Sequence, residues 1–461
     1  MPSDLVPGLL SRATELLEEQ FAALPAFDSA ADPAAIARVL EDVARRLGDN
    51  YPYFHPLYAG QMLKPPHPLA RAAYALAMTI NPNNHARDGG RASSEMEIEA
   101  VREIAAIFGW KDFLGHLTSS GTLANLEALW VAGQLAPARR IVGSEQAHYT
   151  HQRISAVLKL EYAPVAADRR GRMSLEALEA ELRKGDVGTV VVTLGTTAIG
   201  AVDPLDEILA LRSHFGFRVH VDAAYGGYFR LIPEALDAPA RRAFAVIDQA
   251  DSIVIDPHKH GLQPYGCGCV LFRDPSVGSF YKHDSPYTYF TSKQLHLGEI
   301  SLECSRAGAS AVALWATQHL LPLTPGGDFA LGLARGRAAA LELDRRLRED
   351  QARRFQALAG GGPELDIVVW KMNAETPQQS SELAQKIFAA CALRDLHLAL
   401  VELPLRWFQS AEVSESASGA GLVTCLRSVL MKPEHEAWLD AIWERLTAAC
   451  AEVFGGEEKC L

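Results

Sequence analysis

The stretch Ser252-Ile253-Val254-Ile255-Asp256-Pro257-His258-Lys259-His260-Gly261 decides how this chain reads. Three consecutive β-branched apolar residues make a strand of the kind buried on both faces. Pro257 ends it and Gly261 supplies a turn, so the chain leaves a sheet edge carrying an acid, two histidines and a lysine. A lysine in a partly dry pocket beside other cations is an amine nucleophile able to form a Schiff base. A solvated surface lysine is the ordinary alternative, and it leaves unexplained why the strand aims Lys259 at a sheet edge.

Outward from this stretch the pattern repeats. Short apolar runs at 140–143, 189–194, 218–221 and 269–272 read as strands, and 174–184 and 204–215 read as helices lying between some of them. Strand, helix, strand in succession predicts right-handed crossovers and a mostly parallel sheet covered on both faces, the α/β class.

Three further segments fall on the same sheet edge. Asp222, in Val221-Asp222-Ala223-Ala224-Tyr225-Gly226-Gly227, ends a strand where ligands of such sheets collect, and a carboxylate there wants a cation or a protonated heterocycle. As an isolated feature it equally caps a turn, but the small residues after it leave room for something flat. Thr118-Ser119-Ser120-Gly121-Thr122 opens an amphipathic helix over 123–135, whose free N–H groups and dipole suit an anion; simple N-capping is the bland alternative. His148 follows the 140–143 strand and can stack on a flat ring. An anion nest, a strand-end aspartate and a later lysine are what pyridoxal 5'-phosphate (PLP) needs for its phosphate, its ring nitrogen and its aldehyde.

Gly121-Thr122-x-x-Asn125, Ala147-His148, His220-Val221-Asp222-Ala223-Ala224 and above all Asp256-Pro257-His258-Lys259 resemble the group II PLP-dependent amino-acid decarboxylases. The resemblance covers roughly residues 50–320. Residues 302–309 look more like the branch of archaeal tyrosine/aspartate decarboxylases and sphingosine-phosphate lyase. It implies fold type I: a seven-stranded, mostly parallel sheet in a large domain, a smaller C-terminal α+β domain, an N-terminal helical arm, and a homodimer with its sites at the interface. By the same resemblance Lys259 holds the cofactor covalently, Asp222 keeps the ring nitrogen protonated, and His148 stacks on the ring. Ser120, Gly121, Thr122 and His258 hold the phosphate, Ser305 and Gly308 reach it from the other subunit, and Thr197 and Ala224 lie near the cofactor. A loop tyrosine that protonates the substrate carbon is matched by Tyr287, with Tyr289 as backup. Tyr53-Phe54-His55 resembles the segment lining the substrate pocket. Arg427 contacts a substrate carboxylate or makes a structural ion pair.

The expected reaction is loss of CO₂ from an L-amino acid with an aromatic or mid-sized polar side chain; a C–C lyase, an aminotransferase, an oxidative deaminase and a PLP-binding interaction protein are the alternatives. The expected units are 1–90, 91–325 and 326–461, with the break at Pro325-Gly326-Gly327. Beyond it a long helix over 329–353 and strands at 365–370, 396–400 and 421–430 are predicted, and Ser94-x-x-Glu97 reads as a capping box starting a helix.

With 44 Lys+Arg against 56 Asp+Glu, a net charge of −12, the chain lacks the basic face a nucleic acid requires. No apolar run approaches the ~18 residues of a membrane span, the N-terminus carries no secretory pattern, and seven scattered cysteines suggest reduced thiols, so a cytoplasmic protein is expected. The pairs His148-x-x-His151 and His258-x-His260 lack a completing carboxylate or thiol, and no metal is expected.

Overall fold

The computed structural model describes residues 5–27, 31–282, 300–409 and 421–457. Seven strands form the larger sheet: β1 (Leu114–Thr118), β2 (Arg140–Ser144), β3 (Tyr162–Val165), β4 (Val187–Thr193), β5 (Arg218–Asp222), β6 (Ser252–Ile255) and β7 (Gly268–Phe272), in the order β1-β7-β6-β5-β4-β2-β3. Only β7 runs antiparallel to its neighbours, pairing β1 on one side and β6 on the other. This is the fold type I α/β architecture.

The central strands β4, β5 and β6 are buried almost throughout, as continuous β-branched runs require. β3, not anticipated from sequence, is the exposed edge strand; Pro164 sits in it because an edge tolerates a missing N–H donor. The parallel direction has one decisive consequence. The carboxyl ends of β1, β2, β4, β5 and β6 all open on one edge, and the segments carrying Ser120, His148, Thr197, Asp222 and Lys259 leave from there.

A second, four-stranded antiparallel sheet is built from β8 (Phe355–Ala357), β9 (Ile367–Met372), β10 (Ala399–Pro404) and β11 (Leu422–Val429), in the order β10-β11-β9-β8. The three-residue β8 is too short to read from periodicity. The helix Asp328–Arg348 precedes it.

Ahead of the sheets lie α1 (Leu5–Glu19), α2 (Pro33–Leu47), α3 (Pro68–Ile80) and α4 (Arg91–Ile107). The capping box expected at Ser94 is corrected: Gly90 is the N-cap of α4, and Ser94 and Glu97 lie buried inside the helix. Glu97 is drawn into tertiary contacts instead, accepting hydrogen bonds from Leu117 N (3.0 Å), Arg306 Nη1 (2.6 Å) and Asn84 Nδ2 (2.6 Å). α2 buries none of its residues, and its stripe Ile36, Val39, Leu40, Val43 and Leu47 is exposed. Among the described residues no helix is long and apolar enough to cross a membrane.

Candidate active site

A cavity of about 190 Å³ opens at the carboxyl ends of the parallel strands and brings together Ser120, Gly121, Thr122, His148, Thr197, Asp222, Ala224, His258 and Lys259. These residues span more than a hundred positions of sequence, and the common strand direction alone assembles them.

Asp222, the last residue of β5, is almost fully buried. Its Oδ2 accepts from His151 Nε2 at 2.8 Å and its Oδ1 from the Ala224 amide at 3.1 Å. Burial alone would raise its pKa, but the His151 hydrogen bond and charge, the nearby Lys259 ammonium and the Ala224 amide outweigh it and hold the carboxyl well below the usual carboxylate range. Asp222 is therefore a buried anion. His151 lies on α6 (Thr150–Val157), after α5 (Gly121–Leu135), and its role was not read from sequence, where it figured only as half of a rejected metal pair. The signal was present in the spacing, since positions 148 and 151 stand one turn apart.

His148 leads into α6, with its Nδ1 2.8 Å from Thr150 Oγ1. Burial chiefly, helped by Lys259 and His151 against the pull of Asp222, lowers its pKa and keeps the ring neutral. Behind the site a second histidine is fixed by a buried network: His220 Nε2 bonds Asn125 Oδ1 and its Nδ1 bonds Ser252 Oγ, both at 2.8 Å, and burial drives its pKa down to about 3. That network ties α5 to β5 and β6.

Lys259 Nζ stands 3.2 Å from Asp256 Oδ2. Its neighbour His258 is held by Nδ1, which donates to Cys267 O at 2.7 Å, and stacks near Tyr265 with ring centroids 5.0 Å apart. Tyr51, Tyr53 and Tyr58 form an aromatic group of their own, with ring centroids 4.8 to 6.3 Å apart.

At the start of α5, Ser120 is the N-cap, its Oγ accepting from Leu123 N at 3.2 Å. The bland reading of that segment therefore holds, without displacing the other. A Cβ placed on Gly121 would lie 2.4 Å from both oxygens of Asp256, so the helix end admits no side chain there. Asp256 Oδ1 is buried in this cavity with no hydrogen-bond partner among the described residues. A side-chain-free helix end, an amine, a buried anion and a neutral flat ring around one space fit the phosphate, aldehyde, ring nitrogen and ring face of PLP.

Over residues 27–321 the chain matches the family model described as the pyridoxal-dependent decarboxylase conserved domain. The chain belongs to the pyridoxal-dependent decarboxylase family. Within that family it is 28% identical over 389 residues to an L-tyrosine decarboxylase of Enterococcus faecium, covering 63% of this chain and 64% of that protein. It is 28% identical over 332 residues to a probable L-tyrosine/L-aspartate decarboxylase of Methanothermobacter thermautotrophicus, covering 71% and 86%. The chain thus spans just under two thirds of the length of the bacterial tyrosine decarboxylases it matches. The same fold occurs in mouse CSAD (TM-score 0.75, 21% identity, 94% and 92% of the chains) and in Oryza sativa TDC with PLP and tryptamine (TM-score 0.75, 17% identity, 98% and 95%).

Other expected residues of this decarboxylase-family chain stand elsewhere. Tyr53, Phe54 and His55 do not line the cavity of the single chain: Tyr53 packs edge-on against Tyr58, His55 against Trp438, and Phe54 lines a different cavity. The family-like motif is there, and the chain just after it is tied to the segment leading into β10, through Ala59 N to His397 O. Arg427 makes no ion pair among the described residues; it donates to Gln61 Oε1 and Thr197 O, each at 2.8 Å, fixing the backbone of Thr197. Ser305 accepts from Asn83 Nδ2 and the Gly308 amide bonds Pro82 O, both outside this chain's own cavity. Tyr287 and Tyr289 lie outside the described residues.

Proposed function

We propose that this protein is a PLP-dependent decarboxylase that removes CO₂ from an L-amino acid and releases the amine. The observation that carries the reading is Asp222, a buried carboxylate kept ionised by His151 in the same cavity as Lys259. When bound, PLP supplies an electron sink for the bond that is broken.

The chain's own residues do the rest. Lys259 provides the amine that holds the cofactor, and Asp222 keeps a proton on the ring nitrogen, because a buried anion is stabilised by a cation placed against it. His148, neutral and fixed by Thr150, covers one ring face and orients the substrate. Ser120, Gly121, Thr122 and His258 receive the phosphate, with Ala224 and Thr197 close by. Tyr287, with Tyr289 as the alternative, donates the final proton, a role resting on sequence alone. Tyr265 packs against His258, which lines the cavity, and an L-amino acid with an aromatic or mid-sized polar side chain is the substrate class of this reading.

The working unit in this reading is a homodimer. Ser305 and Gly308 do not line their own chain's cavity, which suits residues serving a partner's site, and the exposed apolar stripe of α2 needs a cover. The units 1–90, 91–325 and 326–461 then serve as arm, cofactor platform and closing unit, in a cytoplasmic setting consistent with the free state of the six cysteines among the described residues.

Incubation with each of the twenty amino acids, following CO₂, amine, aldehyde and peroxide, tests the proposal. CO₂ with an equal yield of amine supports it. Aldehyde with peroxide supports oxidative deamination instead, keto acid an aminotransferase, and no turnover of any amino acid a lyase or a silent binding protein.

A further inference from the structure

A second cavity, of about 250 Å³, shares the Lys259 turn through His260. Lys64 and His67 enter it from the segment before α3, Lys432 from the loop after β11, and Phe329 and Leu333 close it from the helix Asp328–Arg348. Lys64 Nζ donates to Met431 O at 3.3 Å, and Lys432 Nζ to Tyr58 O at 2.6 Å.

Each ammonium has three N–H donors and spends one of them on a backbone carbonyl. Neither lysine makes an ion pair with a carboxylate among the described residues. The nearby acids are committed or distant: Asp366 takes the Tyr225 hydroxyl at 2.5 Å and lies 3.3 Å from His260 Nε2, while Asp328 and Glu434 are exposed at the rim. His260, 1% exposed, also lines the cavity, and its Nδ1 has no hydrogen-bond partner among the described residues. Lys432 is 3% exposed. An ammonium taken out of water without a paired carboxylate is unfavourable: desolvation drives the buried Lys432 down to about 7 and the half-buried Lys64 to about 8, against a weaker opposing pull from Glu434 and, at Lys64, Asp366.

We propose that this cavity is a second anion site, taking a small doubly charged oxyanion between Lys64 and Lys432. Such an ion supplies the two missing counter-charges and acceptors for the unused N–H groups. A water needs only about 10–15 Å³ of such cavity space, so the volume is ample for a phosphate or a four-carbon dicarboxylate. Because the donors come from the segment before α3 and the loop after β11, an ion held there ties two parts of the chain beside the lysine turn. The proposal is independent of which reaction the neighbouring site performs.

The test uses PLP-loaded protein, so that the phosphate cradle at α5 is filled. Melting temperature is followed at neutral pH with inorganic phosphate, succinate or, at matched ionic strength, chloride, and binding is measured by calorimetry in two buffers of different ionisation heat. We expect a rise of about 2–4 °C with phosphate or succinate and not with chloride, and proton uptake with succinate, which is already a dianion at neutral pH, because Lys432, at about 7, charges on binding; Asp328, Asp366, Glu434, Tyr58, His67, His260 and His435 are the other titratable groups around the two lysines. The anion giving the larger shift identifies the source. Lys64→Met and Lys432→Met should each weaken binding at least about tenfold, the loss of one charged hydrogen bond. Equal shifts with chloride, no shift with either oxyanion, succinate binding without proton uptake, or unchanged affinity in both folded variants would each overturn the assignment.

Discussion

Lys259 stands 3.2 Å from the Asp256 carboxylate, whereas the more deeply buried Lys432 meets only the carbonyl of Tyr58 and, at 5.2 Å, the face of its ring. The two cavities share the Lys259–His260 turn and similar residue types, yet they treat buried charge in opposite ways. In the cofactor cavity the buried anion Asp222 is given a histidine and an amide, and it stays charged. In the other, two lysines are given carbonyls, and burial pulls both toward neutrality. What a buried ionisable group can do is thus set less by its type than by the partner the fold brings to it.

The comparison breaks most readily at the two lysine sites. Lys259→Ala should abolish covalent retention of the cofactor and lower turnover by about 10⁴-fold or more. Borohydride reduction followed by peptide mapping of the wild-type protein should put the label on Lys259. Label on Lys64 or Lys432 would reverse the assignment of the two cavities.

Next in size is Asp222→Asn, which should keep the cofactor bound while turnover falls about 10²–10³-fold, because a neutral amide cannot hold a proton on the ring nitrogen. Turnover within a few-fold of wild type would reduce Asp222 to a cap on the Ala224 amide.

His151→Phe sharpens the same contrast through pH. Removing the imidazole leaves Asp222 buried without its main stabilising partner, so its pKa must rise. The wild-type enzyme should lose no activity through Asp222 protonation on mild acidification. In the variant the acid limb of the rate profile should move up by about one pH unit or more, with turnover near its maximum about tenfold down. An unmoved acid limb would detach His151 from the function of Asp222.

The smallest effect belongs to stability in the second cavity. The Lys432 pKa is about 7 in the folded chain against an ordinary 10.5, so between those values the unfolded chain binds the extra proton and wild-type stability rises with pH. Lys432→Met removes that dependence. In the absence of added oxyanion it should melt about 2–4 °C above wild type near neutral pH, with the gap closing toward about pH 10. A gap that is constant with pH would mean that Lys432 is not held as an unpaired buried amine.

How far these features were legible follows the range of the interactions. The β6 strand and the turn after it read directly from Ile253-Val254-Ile255 and Pro257, since β-branched runs and proline act on the local backbone. The nest at Ser120, the strand-end Asp222 and Lys259 read from their positions relative to those elements. Ser94 and Glu97 misread as a cap because the residue types suit one, while Arg306 and Asn84 had a stronger claim on the Glu97 carboxylate. Tyr53, Phe54 and His55 matched a motif whose place in the single chain lies beside the four-stranded sheet.

By itself, then, the sequence determined the alternation of strands and helices, the sheet edge and the chemistry carried there, because backbone propensity and the direction of parallel strands need only neighbours. The tertiary structure alone decided that His151 holds Asp222 from 71 residues away, that Arg306 takes Glu97 across 209, and that Lys64 and the Met431-Lys432 loop meet across 367. No local spacing encodes such meetings; they arise when separate faces are buried together, and at that moment a low dielectric makes each partner, or its absence, set the charge of the group it faces.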